Sequence, residues 1–237
     1  HHAPDDYLDK YVGVFDEGWD VVRERIHQRQ LEMGVIPAGT ELTQRAEAIP
    51  AWDSLPDEEK RLYTRQMEVF AAQLELVDAQ IGRIVDELER IGELDNTLIF
   101  VTADNGASGE GGLQGTFNET YVLNGLQTEL EANLRHLDDW GKANTYPHYH
   151  AGWALAGNTP FKYFKQSVHR GGQSDFLVVH WPNGIEDKGA VRSQYHHIID
   201  IAPTIMDVAS AEVPAEYHGI EQQPMDGTSM RYAFNSP

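Results

Sequence analysis

The amino-acid sequence predicts an α/β fold, in which helices flank a sheet. Two short runs rich in β-branched and aromatic residues, 97–103 and 175–181, are typical of strands that are buried on both faces. Segments with apolar residues at helical spacing precede and separate these runs, so helices and strands alternate along the chain. With 237 residues, of which 41% are hydrophobic, the chain is long enough to form one large domain or two small ones.

The first predicted helix covers residues 16–33. Trp19, Val22 and Ile26 recur at helical spacing along this segment. Gly34 follows it, and a glycine at this position is a typical C-terminal stop. The pattern therefore indicates an amphipathic helix.

The second predicted helix covers residues 54–91 and is the longest in the sequence. Ser54 and Asp57 have the spacing of a capping box, and Gly92 marks the C-terminal end. Its apolar residues alternate steps of three and four, which fits either a coiled coil or a helix that covers a sheet. Because a predicted strand follows directly, we favour a helix on a sheet. The apolar positions are Met67, Phe70, Leu74, Val77, Ile81, Ile84, Leu88 and Ile91.

The later part of the chain contains two further predicted helices and two long loops. The helices lie near 128–140 and near 201–210, where Pro203 is suited to the first turn. Residues 106–125 and 141–160 are rich in Gly, Asn, Tyr and Pro and are predicted to be loops. Their length suggests a functional role.

Composition excludes several classes of partner. With 38 acidic against 18 basic residues, the formal net charge of −20 repels nucleic acids and anionic membranes. No apolar stretch approaches the roughly 20 residues that span a bilayer. The chain has no cysteine, which excludes disulfides, thiolate zinc sites and a cysteine nucleophile within these residues but leaves the compartment open.

Asp104, Asn105 and Gly106 end the first predicted strand. Ligands of α/β sheets gather at the carboxyl ends of strands, so these residues are placed where a binding site is expected. A carboxylate and an amide oxygen suit Ca²⁺ or Mg²⁺, and glycine lets the backbone turn sharply around an ion. Asp-Asn-Gly is also a common turn sequence, and the local residues alone leave both interpretations open.

A basic cluster precedes the second predicted strand, in the segment 158–172. It contains Lys162, Lys165, His169 and Arg170, and paired glycines follow it. Such a cluster is either a solvated face or a site for an anion. Lysine suits the second role because its compact ammonium donates to oxyanions.

Together the two stretches resemble the sulfatases of the alkaline phosphatase superfamily. The resemblance rests on the strand followed by Asp-Asn-Gly in "TLIFVTADNGA", and on Lys165 six residues before the paired glycines that begin at Gly171. Further agreement comes from "GELDNT", "GNTPF", "HWPNGI" and "IIDIAPTIMDVA". The resemblance therefore spans nearly the whole chain. The segments "GWD", "WDSL" and "RQMEVFAA" resemble the bacterial arylsulfatase-type members.

The resemblance implies an alkaline-phosphatase-like sandwich, in which a mixed sheet is flanked by helices. It also implies hydrolysis of a small-molecule sulfate ester. Asp104 and Asn105 are implied to help hold a metal ion, for which Ca²⁺ is expected more than Mg²⁺. Lys165 is implied as the catalytic residue that contacts the sulfate. Arg170 stands where many relatives carry an acidic residue, which leaves the substrate preference open.

The resemblance further implies that residues 1–237 are the central to C-terminal portion of one catalytic domain, incomplete at both ends. Sulfatases use a formylglycine made from Cys or Ser in a C-x-P-x-R motif, and this chain has no match to it. We therefore expect the formylglycine and two further metal-binding aspartates upstream, and expect the isolated chain to be inactive.

Two other functions remain open at this stage. Relatives with the same fold and metal positions hydrolyse phosphodiesters or phosphonate monoesters. Alternatively, the chain is a non-catalytic domain that binds a metal ion or an anion.

The aromatic residues and histidines of the predicted loop 141–160 have two possible roles. Tyr146, Tyr149 and Trp153 are suited to stacking on an aryl or sugar group, but packing of the loop is the simpler expectation. His148 and His150 have the spacing of metal ligands on a strand, yet we expect them to be polar surface residues.

Overall fold

The computed structural model describes residues 1–126 and 128–236. The helices are α1 (Asp5–Leu8), α2 (Gly18–Met33), α3 (Asp57–Arg90), α4 (Glu119–Leu123), α5 (Leu130–Arg135), α6 (Ala151–Gly157), α7 (Arg170–Gln173) and α8 (Ile201–Val208). The strands are β1 (Ile99–Thr102), β2 (Leu177–His180), β3 (Glu216–Tyr217) and β4 (Ile220–Glu221). β1 and β2 form one sheet, and β3 and β4 form an antiparallel hairpin in which Tyr217 is opposite Ile220.

The chain divides into two compact units. The first unit consists of His1–Glu87 and Val101–Val178. The second consists of Leu88–Phe100 and the residues from Val179 onward. Both motifs that the sequence singled out lie in the first unit.

The first long helix is confirmed. α2 begins at Gly18 and ends at Met33, and Gly34 adopts the left-handed conformation with φ 68°. The amide of Gly34 bonds to the carbonyls of Gln30 and Leu31, which satisfies two groups at the end of the helix. The glycine stop was therefore correctly predicted.

The second long helix is also confirmed, but its predicted start is wrong. Ser54 lies in a short 3₁₀ turn, where its hydroxyl donates to the Ala51 carbonyl at 2.6 Å instead of capping a helix. α3 begins three residues later at Asp57, after Pro56. The helix ends at Arg90, and Gly92, two residues later, has a positive φ of 77°.

An aromatic core occupies the first unit. Trp19, Trp52 and Trp153 are almost completely buried, and the ring of Trp19 lies 4.8 Å from Trp52 and 5.7 Å from Trp153. The N-terminal half of α3 adds Tyr63 and Val69 to this core. Much of the apolar stripe is exposed farther along the predicted helix, so its packing on a sheet stays a prediction; the exposed positions are Leu74, Val77, Ile81, Ile84 and Ile91.

The prediction of a loop over 141–160 is wrong in part. α6 lies within this segment, and its residues from Ala151 to Ala156 are buried. Gly152 faces the Trp19 ring, because a Cβ at this position would lie 2.6 Å from it. The small residues of α6 therefore allow close packing, while their Gly and Ala content concealed the helix.

The two predicted strands are confirmed in position but not in burial. Phe176 and Val178 are 57% and 55% exposed, although both faces were expected to be covered. Within the described chain β1 and β2 form a sheet of only two strands. The α/β class is consistent with these elements, and the wider mixed-sheet sandwich stays a prediction.

The remaining helices are shorter than predicted. The segment 128–140 contains α5 and a 3₁₀ turn at Leu137–Asp139, and α8 covers most of 201–210. No helix among residues 1–126 and 128–236 is long and apolar enough to cross a membrane.

Candidate functional site

The Asp-Asn-Gly loop and the lysine loop lie directly against each other. The amide of Lys165 donates to the Ala107 carbonyl at 3.0 Å, and the amide of Gly106 donates to the Gly172 carbonyl at 3.5 Å. A Cβ on Gly106 would lie 1.7 Å from the Gly171 oxygen, so no larger residue fits without movement of the backbone. The structure thus brings together the two motifs that the sequence singled out separately.

Asn158 connects these loops and was not among the predicted site residues. Its Oδ1 accepts from the Ala107 amide at 2.9 Å. Its Nδ2 donates to the Tyr163 carbonyl at 3.1 Å and also to the Gly171 carbonyl. Its position in "GNTPF" was noted in the sequence, but the bonds it makes depend on the tertiary fold.

Asp104 and Asn105 present oxygen atoms on this surface. Asp104 is exposed and Asn105 is half-buried. The Nδ2 of Asn105 donates to the Gly106 carbonyl at 2.9 Å. Asp175 is close enough that burial first, and then the charge of Asp104, raises its pKa. Carboxylate and amide oxygens beside a second carboxylate are the donor chemistry of a calcium site, although calcium takes about 6–8 such ligands.

The ammonium of Lys165 forms an ion pair that the sequence did not predict. Its Nζ donates to Oε2 of Glu110 at 2.8 Å. The hydrogen bond to Glu110 is the main cause that raises the pKa of Lys165, and the charge of Asp104 contributes. The same bond, followed by the one from Ser108, lowers the pKa of Glu110. Both partners are therefore charged at neutral pH.

The other basic residues of the cluster do not converge on this pair. Lys162, His169 and Arg170 are exposed. The Lys162 ammonium lies 5.0 Å from the centre of the Tyr163 ring, and the Arg170 guanidinium lies 6.0 Å from that of Phe161. Lys165 is thus the member of the cluster that joins the Asp-Asn-Gly loop.

A hydrogen-bonded network surrounds Glu110. The hydroxyl of Ser108 lies 2.8 Å from Oε2 of Glu110 and 2.9 Å from Nε2 of His148. The side-chain amide of Gln166 donates to Oε1 of Glu110 at 2.7 Å. Lys165 therefore contacts a carboxylate whose two oxygens are already held in place.

The expectation that His148 and His150 are surface residues is wrong. His148 is 4% exposed, and its Nδ1 lies 3.2 Å from the Tyr149 carbonyl. His150 is completely buried and stacks on Trp19 with ring centres 4.4 Å apart. Both histidines precede α6, and the packing of that helix into the aromatic core carries them inside.

The aromatic residues of the same segment mainly pack. Tyr149 and Trp153 are 3% and 1% exposed, and Trp153 donates from its indole nitrogen to the Tyr63 carbonyl at 2.7 Å. Tyr146 is the exception and is 48% exposed. The interpretation that these residues pack the segment is therefore confirmed for Tyr149 and Trp153.

Glu110, Glu119 and His148 form a second group with metal-ligand chemistry. One ligand atom from each of these residues lies within 4.8 Å of the others. Lys165 already supplies a positive charge to Glu110, so a cation at this position would compete with the ammonium.

Comparison with known proteins relates these features to one family. The sulfatase family model matches residues 1–211. The chain is 33% identical, over 91% of its length, to an uncharacterized sulfatase of Schizosaccharomyces pombe, and 28% identical, over 96% of its length, to an arylsulfatase of Klebsiella aerogenes. An N-acetylglucosamine-6-O-sulfatase of Bacteroides thetaiotaomicron is 26% identical over 69% of the chain.

The chain spans 38%, 47% and 20% of the lengths of these three relatives, respectively. The match nevertheless includes the Asp-Asn-Gly loop, Lys165 and the elements that bring them together. The chain belongs to the sulfatase family.

Proposed function

We propose that the protein containing this chain hydrolyses sulfate monoesters of small molecules and is of the arylsulfatase type. The backbone contact between the Asp-Asn-Gly loop and the Lys165 loop is the observation that carries the proposal, because it supports a site in which Asp104 and Asn105 hold a cation near the Lys165 ammonium. Relatives named arylsulfatase and N-acetylglucosamine-6-O-sulfatase support a sulfate ester as the substrate.

Asp104 and Asn105 are the residues of this chain that would hold Ca²⁺. Among the residues that the structure describes, the carboxylate of Asp104 has no ion pair, and Oδ1 of Asn105 accepts no hydrogen bond. These atoms are therefore available as hard oxygen ligands, which favours Ca²⁺ over a softer metal. The bound ion would supply positive charge to the oxygens of the ester. Further ligands and the formylglycine nucleophile are expected from residues outside this chain.

Lys165 would bind the sulfate group through its ammonium. A lysine has three N–H donors, and one of them bonds to Glu110, which leaves two for sulfate oxygens. Because its pKa is raised, the side chain remains charged at neutral pH. Charge-assisted hydrogen bonds become stronger as negative charge grows on the sulfate oxygens in the transition state.

Replacement of this lysine in the complete protein tests the proposal. We expect Lys165→Ala to lower kcat/KM for an aryl sulfate about 100-fold or more, as expected when a donor to a developing oxyanion is lost. Lys162→Ala is the matched control, since Lys162 is exposed and lies against Tyr163. A rate near wild type for Lys165→Ala contradicts the assigned role.

The same assay distinguishes the alternative functions. Wild-type rates are compared for an aryl sulfate and an aryl phosphonate monoester at equal concentrations. A preference for the phosphonate would replace sulfate as the substrate class. Absence of turnover for both esters would favour a non-catalytic domain that binds a metal ion or an anion.

We also propose that residues 1–237 are one portion of a single catalytic domain. The family model covers residues 1–211, which supports this interpretation.

Calorimetry of the complete protein with Ca²⁺ and with Mg²⁺ tests which metal ion binds. We expect Asp104→Ala to weaken Ca²⁺ binding, and equal binding by the variant would exclude Asp104 as a ligand.

A further inference from the structure

Glu110 holds an unusually complete set of hydrogen bonds for a carboxylate near the surface. Oε2 accepts from the ammonium of Lys165 and from the hydroxyl of Ser108, both at 2.8 Å. Oε1 accepts from the side-chain amide of Gln166 at 2.7 Å. Three donors on two oxygens fix the orientation of the carboxylate, and thereby the position of the ammonium that bonds to it.

The network also has a buried support. Ser108 lies 2.9 Å from Nε2 of His148, and His148 is almost completely buried against the carbonyl of Tyr149. The Glu110 carboxylate is therefore connected to the interior of the first unit through Ser108. A carboxylate that is held in this way moves less than one at the end of a free side chain.

The backbone at Gln166 supports the same interpretation. Gln166 has φ 70°, in the left-handed region that non-glycine residues rarely adopt. This conformation directly follows Lys165 and allows the Gln166 amide to reach Glu110. Uncommon backbone conformations of this kind concentrate at binding and catalytic sites.

We propose that Glu110 is a positioning residue that holds the Lys165 ammonium beside the Asp-Asn-Gly loop. The inference rests on the proposed role of Lys165 in binding sulfate. A lysine side chain has a flexible four-carbon stem, and Glu110 restricts it to one arrangement before substrate arrives. In this proposal Glu110 acts through Lys165, to which its carboxylate bonds.

Repulsion of the sulfate anion by the Glu110 carboxylate would have the opposite effect on catalysis, and the sign of the effect distinguishes it from positioning. A carboxylate beside an anion site repels the anion, so its removal would then improve the binding of sulfate. The two interpretations predict opposite signs for the effect of Glu110→Gln on kcat/KM.

Kinetic analysis of the complete protein provides the first test. We expect Glu110→Gln to lower kcat/KM for an aryl sulfate about 10- to 100-fold, mainly in kcat, as expected when a catalytic group is displaced by about 1 Å. Glu110→Asp keeps the charge and should recover part of the rate. Glu75→Gln is the matched control, because Glu75 forms an ion pair of similar length, 2.7 Å, with Lys10 on the surface.

The double variant distinguishes positioning from general structural damage. If Glu110 acts only through Lys165, Glu110→Gln should have no further effect in a Lys165→Ala background. If the loss of kcat/KM in the double variant equals the product of the two single losses, Glu110 acts by another route and the proposal is overturned. An unchanged or higher kcat/KM for Glu110→Gln alone would also overturn it.

Chemical labelling provides a readout that does not depend on activity. Acetylation by limiting acetic anhydride is followed by mass spectrometry of the peptides that contain Lys165 and Lys10. We expect Glu110→Gln to accelerate labelling of Lys165 only, and Glu75→Gln to accelerate labelling of Lys10 only, because each variant removes one partner. Unchanged labelling of Lys165 would contradict its restraint by Glu110.

Failure of this inference differs from failure of the proposed function. If Lys165→Ala retains wild-type activity, the role of Lys165 is wrong. If Lys165→Ala is impaired but Glu110→Gln has wild-type kinetics and labelling, the role of Lys165 stands and positioning by Glu110 is rejected.

Discussion

The aromatic core around Trp19 and the polar network around Glu110 belong to the same compact unit, but they use histidine differently. His150 lies in the core between the rings of Trp19 and Tyr63, at 4.4 and 4.5 Å. His148 lies in the network and contacts Ser108. Only one residue separates the two histidines in the sequence, so their different surroundings come from tertiary packing.

The surroundings also determine which protonation states each ring tolerates. Nδ1 of His150 accepts from the Gly152 amide at 2.8 Å, so the neutral ring carries its proton on Nε2. Both ring nitrogens of His148 face oxygen atoms, those of Tyr149 and Ser108, and these atoms can accept from a protonated ring. Burial lowers both pKa values, but at His148 the hydrogen bond to the Tyr149 carbonyl, and then the charges of Glu119 and Glu110, oppose the effect.

We expect stability to depend mainly on the core and the proposed activity to depend mainly on the network. Removal of a core side chain should destabilise the fold, whereas changes in the network should alter catalysis first. Substitutions in each region test this division.

The largest effect on stability is expected for Trp153→Ala. The substitution removes a side chain that is 1% exposed and its hydrogen bond to the Tyr63 carbonyl. The free energy of unfolding should fall by about 3–5 kcal/mol, as for other buried aromatic residues. Tyr146→Ala is the control from the same segment, and because Tyr146 is 48% exposed it should cost less than about 1 kcal/mol.

Urea unfolding of the complete protein measures both variants. Equal shifts of the unfolding midpoint would show that the core does not dominate stability in this region.

An intermediate effect on stability, together with a large effect on activity, is expected for Gly106→Ala. The added Cβ would lie 1.7 Å from the Gly171 oxygen, so the Asp-Asn-Gly loop must move away from the Lys165 loop. We expect a loss of about 1–3 kcal/mol, which is typical of overpacking. Aryl sulfate hydrolysis should fall as well, because Asp104 and Asn105 move with the loop.

Gly82→Ala is the matched control for this substitution. Gly82 lies within α3, and an added Cβ would have no neighbour within 4 Å. Alanine in a helix interior should stabilise the protein by about 0.5–1 kcal/mol without an effect on activity. Wild-type stability and activity of Gly106→Ala would contradict the close approach of the two loops.

Local sequence signals predicted the parts of the fold that depend on neighbouring residues. Gly34 and Gly92 end α2 and α3 because each adopts a positive φ, which glycine does without strain. The strands were located from their β-branched residues. Asp104 and Asn105 were singled out from their place after a predicted strand, and the family resemblance selected Lys165 from a basic cluster; their roles stay predictions.

Long-range contacts explain what the sequence did not reveal. Glu110 and Lys165 are 55 residues apart, and no local pattern connects a glutamate in a glycine-rich loop to that lysine. α6 has too few residues and too many small ones for its helical period to be recognised. The burial of His150 requires Trp19, which lies on α2.

The smallest expected effect is a dependence of stability on pH that originates at His150. Burial lowers the pKa of His150 to about 3, whereas an unfolded histidine titrates near its ordinary value of 6.5. The unfolded state therefore binds more protons between these two values, so the free energy of unfolding decreases as the pH falls below 6.5. From pH 7.5 to pH 5.5 the loss attributable to His150 should be about 1.4 kcal/mol.

His150→Gln should remove this dependence, although the variant is less stable at both pH values because it loses an aromatic ring from the core. His148→Gln is the matched comparison. It should remove a smaller part of the dependence, because the hydrogen bond to the Tyr149 carbonyl, and then the charges of Glu119 and Glu110, oppose the lowering of the pKa of His148. Urea unfolding of both variants at pH 7.5 and pH 5.5 measures the difference. If His150→Gln keeps the wild-type change with pH, the acid sensitivity originates elsewhere, and the core does not hold His150 in its neutral form.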